Sequence, residues 1–220
     1  MSSPSAASPI WLASRSPRRR QLLMEAGIDA RIMPPDIDDS RLRHGEVPPE
    51  WWVMALAYLK ARRVSELLRA ADPAARGIVL GADTVCALGR ETLGQPRDAQ
   101  DARRMLRLMQ GREHRTLTGV CLLTMGTASR HQGVKASSSI WPRLIVFDAA
   151  IVRIGELSEN QIEMYIASGD WRGKAGAYNL SERIDAGWPI NCLGDPTTVM
   201  GLPMQRLTQW LTKAQAHSGT

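Results

Sequence analysis

The chain has 220 residues and a formal net charge of +6. This length is enough for one good-sized domain or two small ones with a hydrophobic core. No apolar run approaches the roughly 20 residues that span a bilayer, and the N-terminal segment lacks the basic and long apolar regions of a signal peptide. The three cysteines lie far apart without a CxxC pair, which disfavours a zinc site and a disulfide framework. We therefore expect a soluble, cytoplasmic protein. The positive net charge fits nucleic acid, a phosphorylated small molecule or no specific partner.

The first third of the chain alternates strands and helices. Residues 9–13 (PIWLA) predict a short strand. Ser16 and Pro17 suit the start of a helix, and Gly27 suits its end. Residues 28–34 (IDARIMP) alternate like a second strand.

A long helix over residues 50–71 is predicted next, after Pro48 and Pro49. The apolar run 78–82 predicts a strand that leads into Asp83 and continues as a second strand. Asp83 is thus expected at the carboxyl end of a strand, where ligand sites gather in α/β sheets.

The middle of the chain predicts a helix between two strands that flank a polar segment. Asp98 caps a helix to Gln110, and residues 117–125 read as a strand. Residues 127–142 are polar and without periodicity, which indicates a loop insertion, and residues 144–154 form the returning strand.

The last third contains two predicted helices. Ser158 opens the first, with Gln161 completing a capping box, and residues 203–214 form the second. The glycine-rich stretch 169–195 is expected to be irregular. Helices and strands intermix, so the fold class is α/β with a mixed sheet in one domain, 1–220, with residues 1–8 disordered.

Three arginines stand side by side at the first predicted helix start, in SPRRR. The helix dipole is positive at that end, so cations there are unfavourable unless an anion lies opposite them. Free backbone N–H groups and arginine forks together suit a polyphosphate. A solvated basic turn is the alternative interpretation.

Carboxylates appear in two candidate positions. The acidic turn DIDD, residues 36–39, could hold a hard cation such as Mg²⁺ or be a solvated loop. Asp83 could bind a metal, orient a water as general base, or be a hydrogen-bonded turn residue.

Two lysines complete the set of candidate residues. Lys174 lies between glycines in GKAGAYN, where it could place a point charge on phosphate or belong to a surface loop. Lys60 lies among apolar neighbours on the long helix and could be a snorkelling side chain. Arginines for phosphates, carboxylates for metal and water, and lysines for charge together suit phosphoanhydride hydrolysis.

The order of these motifs resembles the Maf family, the septum-formation-associated nucleotide pyrophosphatases. The resemblance runs from about residue 10 to 211 through LASRSPRRRQLL, DIDD, AYLKA, GADTV, LGQPRDAQDARRMLRLMQGREHRTLTGV, KAGAY and GDPTTVMGLPM. It implies an elongated mixed sheet flanked by helices, with a central cleft, related to the inosine-triphosphate pyrophosphatase fold. It also implies hydrolysis of nucleoside triphosphates to monophosphate and pyrophosphate with Mg²⁺ or Mn²⁺, by an enzyme that is often a homodimer.

The resemblance also assigns roles to individual residues. Asp83 matches the catalytic carboxylate or metal ligand, Asp39 stands where the family has a glutamate ligand, and Lys60 matches a family lysine with a catalytic role. Arg18 with Thr84 resembles the subgroup that prefers dTTP and UTP over 7-methyl-GTP. The implied substrate-binding set is Ser14, Arg18, Arg19, Thr84, Gln95, Lys174 and Ser181.

Four residues depart from the family pattern. Gln95 replaces a lysine and can hydrogen-bond phosphate without adding charge. Ser181 replaces a glutamine linked to base recognition, and Pro196 and Thr198 replace a tyrosine and an asparagine. None of these changes removes Asp83, so hydrolysis is the leading expectation.

Two other functions remain open at this point. One is a nucleotide sensor without turnover, which the changes at Gln95 and Ser181 favour. The other is a basic nucleic-acid binder, which the net charge favours but no binding motif supports. We expect a nucleoside triphosphate as the partner, and neither nucleic acid nor a membrane.

Overall fold

The computed structural model describes residues 8–38, 42, 45–126 and 143–216. The expectations for residues 1–7 and for the insertion 127–142 lie outside this part of the chain. Among the described residues, no helix combines the length and apolar character needed to cross a membrane. The strands are β1 (Ile10–Ala13), β2 (Ala30–Ile32), β3 (Gly77–Leu88), β4 (Glu91–Leu93), β5 (Glu113–Met125), β6 (Arg143–Ile154) and β7 (Ile190–Leu193).

Seven helices accompany the sheet in the described residues, besides a 3₁₀ turn at Ala175–Ala177. The predicted caps are confirmed: the Ser16 hydroxyl accepts from the Arg19 amide, and Ser158 and Gln161 form a capping box. The helices are α1 (Pro17–Glu25), α2 (Pro49–Ala71), α3 (Ala99–Met109), α4 (Glu159–Ser168), α5 (Leu180–Asp185), α6 (Pro196–Val199) and α7 (Met204–Ala216).

The sheet is mixed, as the sequence predicts. Its order is β2-β1-β3-β5-β6-β7, with β4 also paired to β3. Strand β1 is parallel to β2 and β3, and the remaining pairs are antiparallel. Long antiparallel ladders between β3, β5 and β6 form the centre of the molecule.

One edge of β3 is interrupted, and this interruption positions the candidate site. Pairing with β1 ends at Gly81, and pairing with β4 begins at Cys86. In the described chain no strand pairs with residues 82–85 along this edge, whereas β5 pairs continuously along the other. The expected position of Asp83 is therefore wrong: it lies inside β3, and the strand that ends here is β1.

The two faces of the sheet carry different helices. Helix α2 packs on one face, where Ala57, Ala61 and Val64 contact Val79 and Cys121. The other face carries two separate clusters. Helices α1 and α7 form one around Leu80 and Leu122, and α3 and α4 form the other around Cys86 and Val152.

Two glycines let α2 approach the sheet at backbone contact. A Cβ on Gly81 would lie 2.2 Å from the Ala57 carbonyl oxygen, and one on Gly119 would lie 2.4 Å from the Val53 carbonyl oxygen. No side chain fits at these positions. The helix is thereby fixed directly above Asp83, which pairs with Gly119 across β3 and β5.

The sequence prediction was wrong for several shorter segments. The predicted strand 28–34 is only β2, and β5 begins at Glu113, so the polar residues before Leu117 are also in the strand. The stretch 169–195 contains α5 and β7 rather than irregular structure alone. Pairing with β6 stabilises β5 and β7, whose local patterns are weak.

We predict that Gly119→Ala lowers the free energy of unfolding by about 1–3 kcal/mol, because the new methyl group overlaps the α2 backbone. Urea unfolding followed by circular dichroism measures the change. Gly126→Ala is the matched control, since a Cβ there meets nothing within 4 Å. Equal stability of the two variants would contradict the backbone contact between α2 and the sheet at Gly119.

Candidate active site

A cleft opens where the edge of β3 is interrupted. Its outer part has a volume of about 510 Å³ and its inner part about 110 Å³, and together they are large enough for a small-molecule ligand. Helix α1 begins at one wall, and the segment before α5 forms the other. Residues of both parts are Ser16, Arg18, Arg19, Lys60, Gln95, Gly173, Lys174 and Asn179.

Lys60 and Asp83 form an ion pair at the base of the cleft. The Lys60 Nζ lies 2.6 Å from Asp83 Oδ1, and both side chains are largely buried. A buried carboxylate is costly unless it is paired, and the ammonium group of Lys60 compensates its charge. The two predicted catalytic residues are therefore brought together on the α2 face of β3.

Arg19 occupies the opposite face of β3 beside Thr84. Its guanidinium donates to the Thr84 hydroxyl at 3.0 Å, to the Gly201 carbonyl at 2.9 Å and to the Ser14 hydroxyl at 3.3 Å. The Ser14 hydroxyl also accepts from the Ser16 amide at the start of α1. These contacts fix the arginine in one orientation at the helix N-terminus.

Arg18 points toward the other wall of the cleft. It donates to the Ser181 hydroxyl and to Oε1 of the Gln21 side chain, each at 2.9 Å, and contacts the Met200 sulfur. Its Nε is buried and has no hydrogen-bond partner within the described structure. These partners are uncharged, so the positive charge of the guanidinium remains available to an anion. Arg20, the third arginine, lines a separate groove near β2.

Lys174, which is charged, and Gln95, which is neutral, both line the cleft. The Lys174 ammonium forms an ion pair with Glu182 on α5, so its charge is shared with a protein carboxylate. Gln95 lines the cleft without adding charge. The phosphate-binding role expected for Lys174 therefore requires competition with Glu182.

The acidic turn is only partly within the described residues. Asp36 forms an ion pair with Arg15 at 2.9 Å, and both side chains are exposed. Asp39, the second expected metal ligand, lies outside the described residues. Among those that are described, no group of three or more His, Cys, Asp or Glu side chains could hold a metal ion.

The segment that carries Lys174 is held by backbone geometry that few residues permit. Gly176 and Ala177 both have positive φ, at 67° and 65°. The Gly176 amide donates to the Gly94 carbonyl, and the Ala177 carbonyl accepts from the buried Tyr165 hydroxyl at 2.9 Å. A Cβ on Gly176 would lie 2.6 Å from the Cys86 sulfur. Glycine is required here by its positive φ and by the buried Cys86 sulfur, and not by the approach of a ligand that the sequence predicted for it.

A buried histidine supports this segment from below. His114 Nε2 lies 2.9 Å from the hydroxyl of Tyr178, which lines the inner cleft. Burial lowers the pKa of His114 to about 4 and raises that of Tyr178 well above its usual value. Both groups therefore remain neutral at pH 7.

Several residues at the site were not singled out from the sequence. Thr118 on β5 contacts the Thr84 hydroxyl at 2.8 Å, and Asn179 and Gly201 line the cleft. A threonine inside the apolar run LTGVCLL was the available signal, since a buried hydroxyl needs a partner. Gly201 contributes a backbone carbonyl, which residue type does not reveal.

We predict that acid destabilises the fold partly through His114. Its pKa is lower in the folded than in the unfolded state, so the unfolded chain binds the extra proton as the pH falls from about 6.5 toward 4. Between pH 7 and 5 the wild-type protein should lose about 2 kcal/mol more than His114→Gln. Urea unfolding of both proteins at the two pH values measures this difference, and parallel losses would contradict it.

Known proteins match this chain over nearly its whole length. The sequence model of the Maf-like protein family matches residues 9–214. A dTTP/UTP pyrophosphatase of Chelativorans sp. (strain BNC1) is 37% identical over 94% of this chain and 91% of its own length. Proteins with the same name from Ruminiclostridium cellulolyticum and Rhizobium meliloti are 34% and 38% identical, covering 93% and 88% of this chain and 95% and 86% of their own. The resemblance seen in the motifs is thereby confirmed, and the chain belongs to the Maf family.

Proposed function

We propose that this chain hydrolyses nucleoside triphosphates to nucleoside monophosphates and pyrophosphate. The observation that carries the proposal is the meeting of the α1 N-terminus, two arginines and the Lys60–Asp83 pair in one cleft. The names of the relatives, dTTP/UTP pyrophosphatase, support dTTP and UTP as the preferred substrates.

The triphosphate binds at the start of α1. Pro17 has no N–H and the Arg19 N–H donates to the Ser16 hydroxyl, so the Arg18 N–H and the positive end of the helix dipole attract phosphate oxygens. Arg18 and Arg19 add bidentate donors that are already oriented by neutral neighbours. This resolves the unfavourable placement of cations at a helix N-terminus, because the substrate supplies the opposing charge.

Asp83 is the proposed general base. It takes a proton from water, and the water oxygen attacks the α-phosphorus. The bond between the α-phosphorus and the oxygen that bridges it to the β-phosphorus then breaks. Pyrophosphate leaves with the electron pair, and the fixed cations of the cleft stabilise the negative charge that develops on it. Lys60 keeps the Asp83 carboxylate at its position through the 2.6 Å ion pair.

A divalent cation, Mg²⁺ or Mn²⁺, fits the donor chemistry of this site. Mg²⁺ is commonly held by one or two carboxylates together with substrate phosphates and waters, and Asp83 supplies a carboxylate at the cleft base. Asp83 and Asp39 are the proposed ligands. The bound cation would withdraw negative charge from the phosphate oxygens. A homodimeric state and a cytoplasmic location complete the proposal, on the family resemblance and the sequence.

A sensor that binds nucleotides without turnover is the second candidate. The Lys174–Glu182 ion pair and the uncharged Gln95 favour it, because both reduce the positive charge available to the leaving pyrophosphate. A protein of this kind would bind UTP and release no pyrophosphate.

We predict that Asp83→Asn lowers kcat for pyrophosphate release from UTP by about 10²–10⁴-fold, the usual effect of removing a general base. Release is measured with Mg²⁺ and with Mn²⁺ over a panel of natural and modified triphosphates. Asp72→Asn, which makes the same chemical change at an exposed position directly after α2, is the control. Unchanged release by Asp83→Asn would contradict the role of Asp83, and no release by the wild type would favour the sensor.

We predict that Ser181→Gln shifts base selectivity. Ser181 contacts Arg18 at 2.9 Å and Asn179 at 3.0 Å, and a longer amide would add a donor and an acceptor in the same place. The ratio of kcat/KM for UTP to that for CTP should change by about fivefold, the value of one hydrogen bond. An identical ratio in both proteins would show that Ser181 does not contact the base.

A further inference from the structure

A buried chain of hydrogen bonds leads away from Thr84 between the two core clusters of the sheet. The Thr84 hydroxyl lies 2.8 Å from the Thr118 hydroxyl, which donates to the Thr198 carbonyl at 2.7 Å. The Thr198 hydroxyl in turn donates to Asp148 at 2.6 Å. Thr118 and Thr198 are fully buried, and Asp148 is 9% exposed. The chain therefore connects the cleft to β6 without passing through solvent.

The direction of each hydrogen bond in this chain is fixed. A carbonyl oxygen can only accept, so the Thr118 hydroxyl donates its proton to the Thr198 carbonyl. Thr118 must then accept from Thr84, and the Thr84 oxygen is left to accept from Arg19 at 3.0 Å. Each hydroxyl has one proton, so Thr84 presents a lone pair and not a donor to the arginine.

The α6 segment, here residues 196–201, also contacts the two arginines directly. The Gly201 carbonyl accepts from Arg19 Nε at 2.9 Å, and Met200 contacts Arg18. Residues 198–201 therefore contact the arginines in three ways: Met200 contacts Arg18, Gly201 contacts Arg19, and Thr198 is linked to Arg19 through the two threonine hydroxyls. Where this stretch lies determines where both guanidinium groups point.

Asp148 holds this stretch in place. One carboxylate oxygen accepts from Thr198, and the other lies 3.0 Å from Arg206 on α7. Helix α6 has only four residues and little intrinsic stability. The charge-assisted hydrogen bond from Thr198 to Asp148 on β6 therefore helps to hold it in place. The mechanism proposed above does not use this carboxylate.

We propose that Asp148 and Thr198 are positioning residues, which act through α6 to orient Arg19 toward the substrate phosphates. The proposal rests on the proposed function in that the ligand of Arg19 is a nucleoside triphosphate. It assigns a role to Thr198, one of the positions where this chain departs from the family pattern.

The test is a pair of substitutions at Thr198. Thr198→Val keeps the side-chain shape and removes the hydroxyl, so kcat/KM for UTP should fall about tenfold. Thr198→Ser restores the hydroxyl and should recover most of the activity. Thr212→Val makes the same chemical change on the exposed side of α7 and is the matched control. Wild-type activity of Thr198→Val would overturn the proposal, and failure of serine to restore activity would do the same.

A double-mutant cycle separates positioning from a general loss of structure. In an Arg19→Gln background, Thr198→Val should cost little more, because the group it orients is gone. Full additivity of the two losses would overturn the proposal. If Thr198→Val does not fold, Asp148→Asn replaces it in the cycle, since it preserves shape and removes the charge that Thr198 contacts.

A binding measurement tests the positioning role independently of hydrolysis. If the wild type releases no pyrophosphate, hydrolysis is contradicted, and the same cycle is measured on the Kd for UTP by calorimetry. Coupling between Arg19 and Thr198 in the Kd would support the positioning role in a nucleotide-binding protein. Additive effects on the Kd would overturn it.

Discussion

The contact of helix α2 with the sheet at Gly81 and Gly119 is the constraint on which the site depends. Backbone touches backbone there, with no room for a side chain on the strands. Lys60 lies one turn beyond Ala57 on this helix and therefore reaches Asp83 at 2.6 Å. A bulkier pair of residues would move the helix outward and separate the two charges. Packing by small residues thus has an electrostatic consequence.

The interrupted edge of β3 explains how one ligand could meet two sides of a sheet. Successive residues of a strand point to opposite faces, so Asp83 and Thr84 belong to different layers of the molecule. The Lys60–Asp83 ion pair lies on the α2 face, while on the face of Thr84 neutral hydroxyls and carbonyls orient Arg19. Because β1 ends before this point and β4 begins after it, both layers open into the same cleft.

The sequence predicted what local chemistry determines. The helix caps at Ser16, Asp98 and Ser158 were correct, as was the long helix, because each rests on neighbouring residues. The mixed sheet was predicted from the way helices and strands intermix along the chain. The interruption in β3 was not predictable, since it depends on where β1, which is distant in sequence, stops pairing with β3. The same holds for the Lys174–Glu182 ion pair, because the sequence indicates both charges but not the turn that brings them together.

Contacts made over long distances in the sequence were also beyond reach. Thr118 stands out locally only as a hydroxyl in an apolar run, and only the fold places it against the Thr198 carbonyl. The family pattern drew attention to position 198 as a departure without indicating a partner. By contrast, the three arginines at a helix start were informative, because elementary electrostatics requires an explanation for them.

The acceptors of Arg19 bear on the order in which the molecule assembles. Ser14 precedes Arg19 by five positions, whereas Gly201 follows it by 182. During synthesis from the N-terminus, the antiparallel ladders of β3, β5 and β6 become available before Gly201 has been added. The arginine acquires its final orientation only when the α6 segment docks, which is a late, high-contact-order event. A growing chain can therefore contain most of the sheet and still lack a formed nucleotide cleft, so ligand binding would report completion of the fold.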